Sequence, residues 1–151
     1  MTKAHEDALS PGDYEALANL RYALRKFTEF STAEVMKLGL TPQQHQALLA
    51  IKGLPVEKEM TIGMLADRLL IAPHSATELV IRLADAGYVE RISSGSDGRR
   101  QVVRLMEKAE HILTRLSGAH LHEIREMAPE LMHALRILQD RHRLEQIAWM
   151  A

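Results

Sequence analysis

The sequence predicts a mainly α protein carrying one small β hairpin, and three observations predict it. Between Thr61 and Gly87, two short amphipathic segments meet at a tight turn around Ile71-Ala72. Directly afterwards, residues 88–92 and 101–105 have strand character, separated by the turn residues Ser93-Ser94-Gly95-Ser96-Asp97-Gly98. On both sides of this centre, apolar residues recur at helical spacing over long stretches. The sum is a winged helix-turn-helix flanked by long helices from the two chain ends.

The elements follow in order. Ser10-Pro11-Gly12-Asp13 reads as a helix start, with serine as N-cap, proline in the first turn and an acid after it. Leu17, Leu20, Leu24, Phe27 and Phe30 then form one apolar stripe, and Gly39 ends the helix. Thr41-Pro42-Gln43-Gln44 is a capping box opening a second helix, with Leu48, Leu49 and Ile51, that stops near Gly53 and Pro55. Thr61 caps a short third helix whose inward residues are Leu65, Ala66 and Leu69. Pro73 opens a fourth, with Leu79, Val80 and Leu83 inward and Gly87 as its stop. After the hairpin, Ile112, Leu113, Leu116, Ile124 and Met127 mark a fifth helix that Ala128-Pro129 is expected to break. Leu131, Leu135, Leu138 and Ile147 mark a last one.

At 151 residues the chain fits one domain. The expected organisation is a tail over 1–12 and a single domain over 13–151. Within it, 13–40 and 106–151 form dimerisation helices around a lobe at 41–105. The end helices carry more apolar surface than so small a centre covers, so a second copy is the expected partner. With no cysteine there is no disulfide framework, thiolate metal site or thiol switch. No apolar run approaches the roughly 20 residues that span a bilayer, and the first residues lack signal-peptide character. A cytoplasmic location with no membrane partner is the expectation.

The eight histidines have no metal-ligand spacing; His120 and His122, two apart on a helix, face different directions. No nucleophile–base pair, glycine-rich phosphate loop or spaced carboxylate pair is present, so no catalytic residue, metal or cofactor is expected.

Net charge is −1, so any nucleic-acid binding rests on local clustering. Between Arg91 and Arg104 four arginines face one aspartate. A helix starting at Pro73 can enter a major groove, and a basic hairpin tip can reach a minor groove. His74, Ser75 and Thr77 lie in the first turn of that helix, where short polar side chains reach base edges or phosphates. Arg82, one turn on, either contacts phosphate or pairs with Asp85. Ala72 is a poor cap, leaving N–H groups for a DNA phosphate.

These residues resemble the MarR family of winged-helix regulators. Its wing motif, Asp-x-Arg followed by a hydrophobic strand ending in Leu, is matched by Asp97-Gly98-Arg99-Arg100-Gln101-Val102-Val103-Arg104-Leu105. Pro73-His74-Ser75-Ala76-Thr77 and Arg82 through Arg91 are similar to the family's recognition helix and the approach to its wing. The resemblance covers about residues 14–145. It implies Arg99 as the minor-groove contact, with Asp97 orienting it and Arg100 beside it.

Three positions depart from the family pattern. Met106 stands where Thr is usual, removing a cap, and Ala109 replaces Gly. Glu78 stands where a basic or polar residue is common; an acid there repels phosphate but accepts from a cytosine amino group.

The resemblance further implies a homodimeric repressor on double-stranded DNA with a pseudo-palindromic operator, its half-sites about one helical turn apart. It also implies release by a small, often aromatic, effector, for which Arg21, Tyr22, Arg25 and His45 are the polar candidates. The rival expectation is a winged-helix protein-interaction module that has lost DNA binding, favoured by Glu78 and the near-neutral charge.

Overall fold

The computed structural model describes residues 9–94 and 100–150, with side chains described except at 94 and 141–150. The order is α1 (Pro11–Lys37), α2 (Pro42–Lys52), β1 (Met60–Thr61), α3 (Ile62–Leu69), α4 (Pro73–Asp85), β2 (Val89–Ser94), β3 (Arg100–Leu105) and α5 (Glu107–Met150). This is the winged helix-turn-helix with long helices before and after it.

Helix starts follow local chemistry. The Ser10 N–H donates to the Asp13 carboxylate at 2.9 Å while the Asp13 N–H donates to Ser10 Oγ at 3.2 Å. Thr41 and Gln44 exchange the same pair of bonds at 3.0 and 3.1 Å. Each box satisfies two amides that a helix start leaves bare. Thr61 Oγ1 accepts from the Met64 N–H at 3.1 Å.

Three helix ends use one device. After α1 the Leu40 N–H reaches Val35 O and the Gly39 N–H reaches Met36 O, with Gly39 at φ 78°. After α4 the Tyr88 N–H reaches Leu83 O and the Gly87 N–H reaches Ala84 O, with Gly87 at φ 82°. After α3 the Ile71 N–H reaches Ala66 O and the Leu70 N–H reaches Asp67 O, but the left-handed residue is Leu70, at φ 56°. Each is a Schellman turn closed by an apolar pair across it.

The chain divides into two compact units, Ser31–Ala119 and Met1–Phe30 with His120–Ala151. In the first, Leu48, Leu65, Leu83, Val35, Val80, Val89 and Val103 make a fully buried core shared by helices and sheet. The sheet is antiparallel in the order β1-β3-β2. Strand β3 pairs Val103 with Met60 on one side and with Arg91 on the other. The two-residue strand β1, absent from the sequence reading, ties the start of α3 to the wing. In the second unit the buried apolar residues, among those described, are Ala16, Ala23, Met127 and Ala134.

One expectation is corrected. The predicted break at Ala128-Pro129 does not occur, and α5 is a single helix of 44 residues with Pro129 inside it. Proline removes one i→i−4 bond and crowds the preceding turn. Here its ring is exposed, and Met127 and Ala134 are buried on either side, so burial carries the helix across the lost bond. The start of α5 also manages without the threonine cap. Met106 O accepts from the Ala109 and Glu110 N–H groups, and Glu107 and Glu110 place acids at the positive end of the helix dipole.

Candidate nucleic-acid interface

The candidate site is built on α4 and the β2–β3 hairpin, both within Ser31–Ala119. Thr61 fixes the start of α3, and the turn at Leu70 redirects the chain. Ala72 then enters α4 in extended conformation, with no side-chain cap. The first i→i−4 bond of α4 is the Ala76 N–H to Ala72 O at 3.1 Å, so the His74 and Ser75 N–H groups precede the helical ladder.

One face of α4 is buried through Ala76, Leu79, Val80 and Leu83. That anchoring turns His74, Glu78, Arg82 and Asp85 outward along one stripe, all exposed. Ser75 and Thr77 are half-buried. The Thr77 hydroxyl donates to Pro73 O at 3.1 Å, so outward it offers lone pairs and a methyl group rather than a proton. Among the described residues Arg82 and Asp85 form no ion pair. Ile81, also half-exposed, adds an apolar side chain that sequence reading did not single out.

On the hairpin, Ser94 pairs with Arg100 at the last register position before the tip. Arg100 is exposed. Asp97 and Arg99 lie outside the described residues. Arg104 is engaged elsewhere: its guanidinium donates to Glu59 Oε1 at 3.3 Å, joining β3 to the segment before β1. One of the four arginines that made the hairpin look basic is therefore paired with an acid 45 positions away, a contact no local pattern reveals.

Two further residues escaped sequence reading. Lys52 pairs with Glu110 at 2.8 Å, joining α2 to α5. Lys108 Nζ donates to Ala86 O at 2.7 Å, at the end of α4.

The effector candidates are divided between the units. Arg21, Tyr22 and Arg25 are exposed on α1, with Lys26 Nζ 4.6 Å from the Tyr22 ring centroid. His45 is buried on α2 in the other unit. Among the described residues no group of three His, Asp or Glu side chains is arranged to hold a metal. His120 instead meets Phe27 and Phe30 edge-on, at 5.9 and 6.0 Å between ring centroids. No helix among the described residues is long and apolar enough to cross a membrane.

A helix-turn-helix followed by a hairpin of this register is matched by the MarR family model over residues 38–100, from the end of α1 to the first residue of β3. Over that segment the chain is similar to the MarR family. The chain is 33% identical over 109 residues to the exopolysaccharide II synthesis transcriptional activator ExpG of Rhizobium meliloti (strain 1021). The match covers 70% of this chain and 54% of ExpG. The chain spans about half the length of the curated relatives it matches.

In fold it is similar to AbsC, a MarR family transcriptional regulator from Streptomyces coelicolor, at TM-score 0.69 and 18% identity, over 95% of this chain and 96% of that one. It is equally similar to Sco3205 from the same organism, a MarR family regulator solved in complex with DNA. There the TM-score is 0.69 at 17% identity, over 95% and 91% of the two chains. By their names these proteins regulate transcription.

Proposed function

We propose that this chain is a MarR-family, sequence-specific, homodimeric DNA-binding regulator of transcription. The observation that carries the reading is the outward stripe of α4. His74, Glu78 and Arg82 stand exposed on a helix whose other face is locked into a core, and its N-terminal amides have no side-chain cap. A DNA reader needs a rigid helix with unpaired polar groups at its first turns. Sco3205, of the same fold, is bound to DNA.

In this reading His74, Ser75 and Thr77 contact base edges or phosphates, and Glu78 accepts from a cytosine amino group. Arg82 binds phosphate, while Arg99 and Arg100 follow the minor groove beside Asp97. The lobe at 41–105 is the DNA-binding part, and residues 13–40 and 106–151 hold two copies together. Two exposed apolar stripes support the dimer: Tyr14, Leu17 and Leu24 on α1, and Leu121, Ile124, Met132 and Leu135 on α5. Repression in the cytoplasm is the proposed sense, with release by a small aromatic anion; Arg21, Tyr22 and Arg25 on α1 and His45 on α2 are each polar candidates for contacting it. ExpG, named an activator, makes activation the alternative.

Selection of duplexes from a random pool tests the proposal. The expected product is a pseudo-palindrome with half-site centres about 10 base pairs apart. Arg99→Ala should weaken binding to it about 10- to 100-fold with the dimer intact. Recovery of protein partners with no enriched duplex would favour the interaction module instead.

A further inference from the structure

Lys108 is oddly placed for the helix that carries it. It is the second residue of α5, where a cation is disfavoured by that helix's own dipole and where the neighbouring charges, Glu107 and Glu110, are acids. Its position makes sense from the far end of α4. There the C-terminal carbonyls carry partial negative charge, and Asp85, the last residue of α4, adds more.

Lys108 Nζ donates to the carbonyl of Ala86, the C-cap of α4, at 2.7 Å. The same ammonium lies 4.4 Å from the centroid of the Tyr88 ring. Between them, a Cβ added at Gly87 would lie 3.9 Å from Lys108 Cδ, so the aliphatic stem passes over that glycine in ordinary contact. One side chain thus spans Ala86, Gly87 and Tyr88 in succession. The backbone adds a second tie, the Met106 N–H to Tyr88 O at 2.9 Å.

We infer that Lys108 is a positioning residue for the reading helix. It fastens the C-terminal end of α4 to the start of α5 and so sets the angle at which His74 to Glu78 are presented. This rests on the DNA-binding function proposed above. The lever is long: α4 runs about 20 Å at about 1.5 Å per residue, so a tilt of about 3° moves its free end about 1 Å. Hydrogen bonds to base edges do not tolerate such a shift. A phosphate contact by Lys108 would act differently, strengthening binding to every sequence alike.

The full chain is compared with Lys108→Met, which keeps the stem without the charge, and Lys108→Arg, which keeps both. Without DNA, amide hydrogen exchange at Ala86, Gly87 and Tyr88 should quicken about ten-fold in Lys108→Met, as for loss of a charge-assisted hydrogen bond, and stay near wild type in Lys108→Arg. With DNA, the probes are the duplex that wild type enriches from a random pool and a scrambled duplex of equal length, across a potassium chloride series. The expected result is an about ten-fold fall in the ratio of the two affinities for Lys108→Met, at an unchanged salt slope, with the ratio recovered in Lys108→Arg. An unchanged ratio overturns the inference. So does an equal loss on both duplexes with a salt slope lower by about one, which marks a phosphate contact. If wild type enriches no duplex, the DNA-binding reading falls by itself, and the exchange measurement alone decides whether Lys108 holds α4. Unchanged exchange overturns that hold as well.

Discussion

The two compact units bury apolar surface in opposite ways. Ser31–Ala119 closes a core of valines and leucines from helices and sheet, with Leu48, Leu65, Val80 and Leu83 fully buried. The unit formed by the chain ends buries mainly small side chains, Ala16, Ala23 and Ala134 beside Met127. Several of its large ones stay about half exposed, with Leu17 and Leu24 on α1 and Leu121, Ile124 and Leu135 on α5. A leucine left half in water forgoes roughly half of the 1.5–3 kcal/mol that full burial supplies. The central unit is therefore stabilised from within, whereas the terminal unit leaves apolar surface partly open, the surface that the proposed dimer would cover.

The largest test of that contrast is a cavity in the central unit. Leu48→Ala removes a side chain with no exposed surface and should cost about 2–5 kcal/mol in urea unfolding at fixed protein concentration. Leu135→Ala, at a half-exposed position, should cost less than 1 kcal/mol in any state where the chain is a monomer. Equal costs at both positions in a monomeric state would remove the contrast.

A charge in the terminal stripe probes the reserved surface directly. Leu135→Glu leaves a monomer almost untouched but buries an unpaired carboxylate if a second copy covers α5. Sedimentation should show the dimer weakened by about 2–4 kcal/mol, with the central unit still folded. A chain that sediments identically with and without the substitution would place the partner surface elsewhere.

How far these features can be read from sequence depends on how local their causes are. The boxes at Ser10–Asp13 and Thr41–Gln44 and the stops at Gly39 and Gly87 involve residues within one turn, and sequence locates them. The buried face of α4 follows from spacing alone. Strand β1 is two residues long, too short to show any period, and exists through pairing with β3 some 40 positions on. The Arg104–Glu59 and Lys108–Ala86 contacts are likewise decided by tertiary approach. For the site, the helix presenting His74 to Arg82 was legible, while the engagement of Arg104 and the contacts of Lys108 were not.

Pro129 separates the two units in another way, since it lies in the stretch of α5 that belongs to the terminal unit. The chain there accepts a residue with no N–H to offer the Arg125 carbonyl and continues as helix. Pro129→Ala restores that bond without emptying any packed space, because the ring is exposed. Stability should rise by about 1–3 kcal/mol, measured by thermal unfolding at fixed concentration. A helix broken at this point would gain nothing from the alanine.

The smallest expected effect falls in the central unit, at the turn between α3 and α4. Leu70 holds φ 56° and ψ 43°, a conformation that costs a residue with a Cβ about 1–2 kcal/mol, and its side chain is 92% exposed, so packing returns little. The equivalent positions after α1 and α4 are glycines with the same hydrogen bonds. Leu70→Gly removes the strain but adds freedom to the unfolded chain, an opposing change of about 0.5–1 kcal/mol. The net expectation is a gain of about 0.5–1 kcal/mol in urea unfolding. That sign also tests the contrast between the units, because it requires the turn to be held by backbone bonds, the buried Ala66 and the partly buried Ile71 packed on the core rather than by the leucine itself. A loss of stability would mean that the Leu70 side chain, despite its exposure, contributes to holding α3 against α4.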